Sequence, residues 1–205
     1  MAVTRPKSRS KALDRREVVR KLLADRGELL VIAGLGAPAW DATDAGDHPL
    51  NFPLWGGMGG AAAIGLGLAL AQPQRRVLVL TGDGELLMGM GSLATIGAQR
   101  PRNLSLVVLD NERYGETGMQ LSHTAFGVDL SAVAKACGFT STRMVTAIGQ
   151  IGRLRADIHR ADGPLFAQVK VAADKLPLVL PPRDGAHLKD RFREALLGKD
   201  AHFQR

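Results

Sequence analysis

The sequence predicts an α/β domain built on a mainly parallel sheet with helices on both faces. Short apolar runs alternate along the chain with longer segments that suit helices, and residues 77–80 and 104–109 are apolar at nearly every position. Because successive side chains of a strand point to opposite faces, such runs indicate strands buried on both sides, as in parallel sheets. A chain of 205 residues is long enough for one such domain with a core of its own.

The individual elements follow from local signals. Asp14 has the character of a helix N-cap before an apolar stripe that ends near Gly27, and Asp129 and Gly138 bracket a second short helix. Predicted strands cover residues 28–33, 76–81, 104–109, 139–145 and 165–171. Further predicted helices cover residues 59–72, 86–100, 130–137, 148–161 and 186–197. Residues 34–57 are rich in Gly, Pro and Asp and predict one long irregular segment, which in a compact domain is usually functional.

Composition divides the chain into three parts. These are a basic N-terminal arm (1–13), the α/β domain (14–173) and a Pro-rich C-terminal tail with a short helix (174–205). The net charge of +7 reflects Lys and Arg clustered near both ends, with few aromatic residues between them. Basic chains often bind nucleic acid, but this distribution favours solvated tails or a surface that faces an acidic partner subunit.

The sequence also bears on location. No apolar run reaches membrane-spanning length, and the first residues lack the apolar segment of a signal peptide. The chain has one cysteine, Cys137, which excludes an internal disulfide and fits a reducing compartment. We therefore expect a cytoplasmic protein that does not interact with membranes.

Two predicted strands end in oxygen-bearing side chains. Residues 77–80 lead into Gly82-Asp83-Gly84, and residues 104–109 lead into Asp110-Asn111. In a right-handed βαβ unit both strand ends open on the same edge of the sheet. Helix N–H groups and glycines at that edge favour a phosphate, and a carboxylate with an amide oxygen suits Mg²⁺. The sequence therefore predicts a Mg²⁺–diphosphate site.

This spacing resembles the thiamin diphosphate motif, in which a GDG turn is followed by a pair of Asn residues. Asp83 and Asn111 are 28 positions apart, which fits the motif, whereas a GDG turn alone also occurs by chance. The resemblance implies that the Asp83 and Asn111 side chains bind Mg²⁺, with the backbone carbonyl of Arg113 as the third protein ligand. The first residue of the pair is Asp110 instead of Asn.

Residues 110–120 read DNERYGETGMQ, and this loop is similar to the cofactor-binding half of the sulfopyruvate and phosphonopyruvate decarboxylases. The likeness covers roughly residues 28–171 and extends to a Pro-Pro-Arg-Asp-Gly tail. The resemblance implies that the following residues contact the cofactor: Gly34, Leu35, Gly36, Gly56, Met58, Gly82, Asp83, Gly84, Glu85, Asn111, Arg113, Tyr114, Gly115, Glu116 and Thr117. Gly34, Leu35 and Gly36 would contribute backbone N–H groups to the diphosphate.

Met58 lies in a glycine-rich turn before a predicted helix. By the same resemblance, its side chain supports the bent cofactor, and the carbonyl of Gly56 accepts a bond from the exocyclic amine. The chemistry explains the requirement, because the 4′-imino group reaches the C2 proton only when the two rings are held together. A flexible thioether between glycines can provide that support. The alternative is an ordinary core methionine.

Polar residues in and after the metal loop are candidates for catalysis. In related pyruvate decarboxylases a catalytic Glu stands six positions after the metal-binding Asn, where this chain has Thr117 with Glu116 one residue earlier. We take Glu116 and His123, together with Met58, as the candidate catalytic residues. His48, in the long irregular segment, could also reach the site. The five dispersed histidines show no zinc-ligand spacing.

Thiamin enzymes also need a glutamate that faces the pyrimidine N1′ from a separate domain, and this chain resembles only the diphosphate-binding half. We therefore expect a β-type subunit that works with a separate pyrimidine-binding (α-type) subunit in a hetero-oligomer such as α2β2, acting on a small anionic 2-oxo acid. Phe52, Trp55 and the helix predicted from residue 59 would form the interface. The alternatives are half of a carboligase of the acetolactate synthase type, a non-catalytic scaffold or regulatory subunit, and a nucleic-acid binder.

Overall fold

The computed structural model describes residues 12–203, so residues 1–11 of the predicted basic arm lie outside the described part. Within this range the strands are β1 Leu30–Ala33, β2 Asn51–Pro53, β3 Val77–Gly82, β4 Leu104–Asp110, β5 Arg113–Tyr114, β6 Gln120–Leu121, β7 Ser141–Val145 and β8 Leu165–Lys170. The α-helices of the described residues are α1 Arg15–Leu23, α2 Ala37–Asp44, α3 Ala61–Ala71, α4 Asp83–Met88, α5 Gly91–Gln99, α6 Leu130–Ala136, α7 Ile151–Arg160 and α8 Gly185–Leu197.

Six strands form one parallel sheet in the order β2-β1-β3-β4-β8-β7, which confirms the predicted fold class. β5 and β6 form a separate antiparallel pair in the loop after β4. The chain moves from β1 outward to β2 and then crosses back to β3 on the other side of β1. The carboxyl ends of β1 and β3 therefore flank a point where the direction of winding changes, and ligands of open α/β sheets bind at such points.

The sheet has a separate apolar core on each face. On one face, α1, α2 and α7 cover alternate side chains of the central strands, among them Val31, Leu78 and Val107. On the other face, α3, α5 and α6 cover the intervening side chains, such as Val79 and Leu106. This division confirms that the apolar runs are strands buried on both faces. Among the described residues, no helix is both long and apolar enough to cross a membrane.

Two predicted segments differ from the structure. Residues 34–57 are not one irregular loop, because they contain α2 and the edge strand β2. The Pro and Gly content had suggested a loop. Pro38, however, stands in the first turn of α2, where a proline is compatible with a helix. The single helix predicted for residues 86–100 is two helices, since α4 ends at Met88, with Gly89 as its C-cap, and α5 begins at Gly91.

The start of α1 corrects the interpretation of the basic N-terminal segment as a solvated tail. Asp14 caps the helix as predicted, by accepting a bond from the amide of Glu17. Arg15 and Arg16 are buried, and both guanidinium groups bond the carboxylate of Asp41 on α2, at 2.7 Å and 3.3 Å. These charges therefore stabilise the packing of α1 on α2 and are not part of a nucleic-acid-binding surface.

The C-terminal tail covers part of the surface that had been predicted as an interface. Phe52 on β2 makes an edge-to-face contact with Phe192 of α8, with ring centroids 5.5 Å apart. The indole N–H of Trp55 donates to the carbonyl of Pro182 at 2.7 Å, and Arg183 lies over its ring. The prediction that Phe52 faces a partner is therefore wrong, because this chain's own last helix packs against it.

Candidate functional site

A pocket of about 170 Å³ opens at the carboxyl edge of the sheet, where β1, β3 and β4 end. It is lined by Arg15, Leu35, Ala37, Pro38, Met58, Gly82, Asp83, Gly84, Glu85, Met88, Leu109, Asn111, Arg113, Tyr114, Gly115, Glu116, Thr117 and Val171. Twelve of these residues are candidates from the sequence, which the fold brings together from four separate segments. Gly34, Gly36, Gly56 and His123 are the candidates that do not line it.

Asp83 is the first residue of α4 and is 1% exposed. Its carboxylate accepts hydrogen bonds from the hydroxyls of Ser122 and Thr124, the latter at 3.1 Å. The backbone amide of Asn111 also approaches it, at 3.4 Å. The carboxylate therefore joins the turn after β3 to the turn after β4 and to the loop beyond, where the two metal-binding segments were predicted to meet.

The charge of Asp83 has no counter-ion within the described part of the chain. Burial raises the pKa of Asp83 to about 6, the hydroxyl of Ser122 opposes that rise, and the nearby Asp110 adds to it. Among residues 12–203, no Lys, Arg or His forms an ion pair with this carboxylate, whereas Asp110 has Lys170 at 2.7 Å. A buried carboxylate with oxygen ligands beside it and no cation of its own fits a divalent metal ion.

Asp110, at the first position of the expected Asn pair, is held in a network of its own. Its carboxylate accepts from Thr124 at 2.7 Å, from Gln168 at 2.6 Å and from the ammonium of Lys170 at 2.7 Å. Lys170 also lies 2.9 Å from a carboxylate oxygen of Glu112. The ammonium group neutralises the charge that replaces the Asn, so Asp110 stabilises the end of β4 and leaves Asp83 to face the pocket.

Asn111 and Arg113 form a tight turn immediately after β4. The side-chain oxygen of Asn111 accepts a bond from the amide of Arg113 at 2.9 Å. Glu112 between them has φ of +61°, which turns the backbone sharply. Both predicted ligands after β4 thus lie in one turn at the pocket wall, on the far side of the pocket from the turn after β1.

Glu85 explains why glycine stands at position 34. The Glu85 carboxylate is 5% exposed and accepts from the hydroxyl of Thr81 at 2.7 Å. Burial raises the pKa of Glu85, while the bond from Thr81 and the backbone amides of Gly59 and Ala61 lower it. A Cβ on Gly34 would lie only 1.7 Å from a carboxylate oxygen of Glu85, so any side chain there collides.

The amide of Gly34 donates to the carbonyl of Leu80 at 2.7 Å, within the pairing of β1 and β3. This N–H group is therefore engaged and does not point to a diphosphate, which corrects the prediction for Gly34. Leu35 does line the pocket, and Gly36, with φ of +79°, forms the turn into α2. Gly34 contributes by leaving space for Glu85.

We predict that Gly34→Ala lowers the free energy of unfolding by about 1–3 kcal/mol, since the added methyl group overpacks a buried site. Urea denaturation measures the effect. Gly67→Ala on α3 is the control, because a Cβ there meets nothing within 4 Å. Combining Gly34→Ala with Glu85→Ser should restore part of the loss, and an unaffected single variant would show that the contact is not restrictive.

Met58 stands in a turn that is fixed against α4. Gly57 and Gly59 on either side have φ of +68° and +92°, which favour glycine. A Cβ on Gly89, at the end of α4, would lie 1.9 Å from the carbonyl oxygen of Gly59, so the two backbones are in direct contact. The thioether is therefore presented to the pocket by a rigid turn, as the support role requires. Gly56 lies just outside the pocket lining and is exposed.

The candidate catalytic residues after β4 occupy different positions. Glu116 lines the pocket and reaches the turn at Gly36, where a Cβ would lie 2.1 Å from its carboxylate oxygen. Thr117 bonds Gln120 at 2.9 Å within the loop. His123 is exposed, and its Nδ1 lies 3.0 Å from the hydroxyl of Tyr114. Gly84 provides the space for the Tyr114 ring, since a Cβ there would lie 2.6 Å from it.

Several residues of the site were not predicted. Ser122, Thr124, Gln168 and Lys170 support the two aspartates, and Arg15 lines the pocket itself. The sequence did contain a signal for Gln168 and Lys170, because these two polar residues interrupt an otherwise apolar strand. His48, in contrast, lies before β2 and so at the amino edge of the parallel sheet, away from the pocket.

Residues 37–169 match the family of thiamine pyrophosphate enzymes through its C-terminal TPP binding domain. The chain belongs to this family. The matched region covers more than half of the chain and contains the turns after β3 and β4. The chain therefore binds thiamin diphosphate with Mg²⁺, the usual partner metal, and the site described above fits both.

Two relatives within the thiamine pyrophosphate enzyme family show how much of a known protein the chain represents. It is 38% identical over 186 residues to the sulfopyruvate decarboxylase subunit beta of Methanothermobacter thermautotrophicus, covering 91% of this chain and 97% of that subunit. It is 36% identical over 177 residues to the phosphonopyruvate decarboxylase of Streptomyces viridochromogenes, covering 85% of this chain but 44% of that protein.

The solved structure of the benzoylformate decarboxylase of Polynucleobacter necessarius has the same fold, with a TM-score of 0.67 and 20% sequence identity. That match covers 86% of this chain and 36% of the solved chain. The chain thus corresponds in fold to about a third of this larger decarboxylase.

Proposed function

We propose that this chain is the cofactor-binding subunit of a thiamin-diphosphate-dependent decarboxylase that acts on a small anionic 2-oxo acid, of the sulfopyruvate or phosphonopyruvate kind. One observation carries the proposal. The chain aligns over almost its entire length with a decarboxylase beta subunit, and it covers less than half of a phosphonopyruvate decarboxylase. The cytoplasm is the proposed location, since the single cysteine is free and fits a reducing compartment.

The residues of the pocket have separate roles in this proposal. Asp83 and Asn111, with the carbonyl of Arg113, hold Mg²⁺, and the turns around Leu35 and Gly84 hold the diphosphate. When bound, the cofactor provides an electron sink for the electron pair that remains when the bond to the carboxylate breaks and CO₂ leaves. Met58 keeps its two rings in contact, and Glu116 and His123 are the candidate groups for proton transfer to or from the substrate.

The proposed partner is a separate pyrimidine-binding subunit, with an assembly such as α2β2. Ile64 on α3, Met88 at the end of α4 and Met90 after it are exposed apolar side chains. They flank the turn of Met58, at the ring end of the pocket, because Gly59 contacts Met88 and Gly60 lies near Ile64. We call this surface the Met88 patch, and it supports an interface at the point where the second cofactor ring leaves this chain.

The test begins with the partner. Purification of the chain from its native source and mass spectrometry of the co-purifying polypeptide should identify a second subunit. The reconstituted pair should then release CO₂ from 3-sulfonated or 3-phosphonated 2-oxo acids at least about tenfold faster than from pyruvate, because the distal anion is recognised. Equal turnover of all acids would refute the substrate class. A ligated carbon–carbon product in place of the aldehyde would favour the carboligase alternative.

The role of Met58 has its own prediction. Met58→Ala should leave Mg²⁺ and diphosphate binding nearly intact but slow exchange of the cofactor C2 proton by roughly tenfold or more, since only the ring geometry is loosened. Hydrogen–deuterium exchange of the bound cofactor in the assembled enzyme measures this. Met119→Ala, an exposed methionine of the metal loop, is the control. An unchanged exchange rate would make Met58 an ordinary packing residue.

A further inference from the structure

Arg15 is a buried cation in the wall of the cofactor pocket. It is the first residue of α1, its side chain is 7% exposed, and it lines the same pocket as Asp83 and Asn111. Nothing in the metal-binding motif specifies this residue, since it lies almost 70 positions before the GDG turn. Its position results from pairing of Leu13 with Val171, which follows β8 and also lines the pocket.

The charges around Arg15 leave a positive excess. Arg15, Arg16 and Arg20 share the carboxylates of Asp41 and Asp44, so three guanidinium groups face two carboxylates. Arg16 and Arg20 both reach Asp44, and Arg16 also bonds the carbonyl of Pro177. Arg15 is the member of this cluster that reaches the pocket, so an anion bound there would balance the remaining charge.

The two ends of the pocket belong to opposite faces of the sheet. Met58 and Met88 lie with α3 and α4 on one face, whereas Arg15 lies with α1 and α2 on the other. Asp83 and Asn111 lie between them at the edge of the sheet. If Met58 marks the ring end and the metal ligands mark the centre, Arg15 stands at the end that the terminal phosphate reaches.

We propose that Arg15 binds the terminal phosphate of the thiamin diphosphate and that Asp41 positions its guanidinium group for this contact. The inference rests on the proposed roles of Met58, Asp83 and Asn111. The planar guanidinium group bonds Asp41 through one nitrogen at 2.7 Å, which orients the fork, and its remaining N–H groups suit two oxygens of a phosphate. Arg15 would thus provide a positive charge in addition to the Mg²⁺ ion.

Arg16 offers a matched control, because it bonds the same Asp41 carboxylate, is equally buried and does not line the pocket. Arg15→Gln, Arg15→Lys and Arg16→Gln should be titrated in the full chain with thiamin diphosphate and with thiamin monophosphate, each with Mg²⁺. Tryptophan fluorescence reports binding, since Trp40 and Trp55 line a small cavity that shares Leu35 and Glu116 with the site. Calorimetry provides an independent affinity.

Arg15→Gln should weaken thiamin diphosphate binding by roughly ten- to a hundredfold and monophosphate binding much less, because a charge-assisted bond to the second phosphate is lost. Arg15→Lys should lose less than Arg15→Gln, and Arg16→Gln should keep the wild-type preference for the diphosphate. An equal loss for both ligands would indicate a structural role and overturn the proposal. So would unchanged binding by Arg15→Gln, or a wild-type chain without preference for the diphosphate.

A contact of Arg15 with the substrate instead of the cofactor would give a different result. In the assembled enzyme Arg15→Gln would then raise KM for the 2-oxo acid and leave the cofactor affinity unchanged, which would also overturn the proposal. The binding titrations need neither substrate nor partner. Their failure therefore leaves the proposed decarboxylation untouched, and an inactive reconstituted pair would leave the Arg15 result standing.

Discussion

Asp83→Asn is expected to weaken binding of Mg²⁺ and thiamin diphosphate by at least about a hundredfold while making the apo chain more stable at neutral pH. The loss of affinity follows from removal of a buried carboxylate that lines the pocket and bonds the loop after β4, since a neutral amide is a poor substitute in a Mg²⁺ shell. The gain in stability follows because the folded apo protein must hold that charge in a buried place.

The direction of the pH dependence can be worked out. Burial raises the pKa of Asp83 from 3.8 to about 6, so between these values the folded state binds the proton more tightly than the unfolded state does. Stability of the apo chain therefore falls as the pH rises through this window, by up to about 3 kcal/mol from this group. Asp83→Asn removes that loss, so its advantage should be about 1–3 kcal/mol at pH 7.5 and close to zero near pH 4.

Urea denaturation in the presence of a chelator measures the stability at both pH values, and calorimetry with Mg²⁺ and thiamin diphosphate measures the affinity. Two controls separate the effects. Asn111→Ala should lose the cofactor without the gain in stability, since no charge is removed. Asp47→Asn, at an exposed pair with Arg191, should change neither. Normal cofactor affinity of Asp83→Asn would contradict the metal assignment.

The fold was predictable because its strands carry their signal in the sequence. Apolar runs such as residues 104–109 can be buried only between two layers of helices, and GDG with an Asn at the right distance indicates where two such strands end. The helix α2 was missed because its residues, Ala-Pro-Ala-Trp-Asp-Ala-Thr-Asp, have weak periodicity, and it is held by packing on α1 and β3. Tertiary contacts decided that segment.

The residues of the site that belong to a local sequence motif were predictable. Those that reach the site from distant parts of the sequence were not. Asp83 and Asn111 lie in turns of recognisable composition. Ser122 and Thr124, which bond Asp83, look like ordinary loop residues, and only the folded chain shows that they are buried behind the metal position. From the sequence alone, Arg15 looks like part of a basic tail. The pairing of Leu13 with Val171 in the folded chain shows that it lies beside the pocket. Long-range pairing of this kind has no local signature.

A second prediction with a large expected effect concerns the catalytic activity of this chain in the absence of a partner. We expect the purified chain, supplied with thiamin diphosphate and Mg²⁺, to release CO₂ from 2-oxo acids at under about 1% of the rate of the reconstituted pair, because a group that relays a proton to the pyrimidine is worth at least about two orders of magnitude. The carboxylates that line its pocket are Asp83, Glu85 and Glu116. Asp83 is a proposed ligand of the metal, and Glu85 is buried against Thr81 and Gly34.

Glu116 is the remaining carboxylate, and it lies in the metal loop against the turn at Gly36. None of the three belongs to the exposed Met88 patch, over which the second cofactor ring would project in the proposed assembly. A partner that covers this patch can supply the missing group. Substituting Met90, which is 38% exposed in this patch and does not line the pocket, should then abolish activity by preventing assembly and not by damaging the site.

Met90→Glu should accordingly remove activity and co-elution with the partner in size-exclusion chromatography, while binding of Mg²⁺ and thiamin diphosphate to the chain stays within about threefold of wild type. Leu178→Glu is the matched control, because Leu178 is 62% exposed in the C-terminal tail and lies far from the patch along the chain, so the pair should assemble and turn over normally. Full turnover by the wild-type chain with no other polypeptide detectable would contradict the requirement for a partner. Normal assembly by Met90→Glu would instead place the interface on another surface.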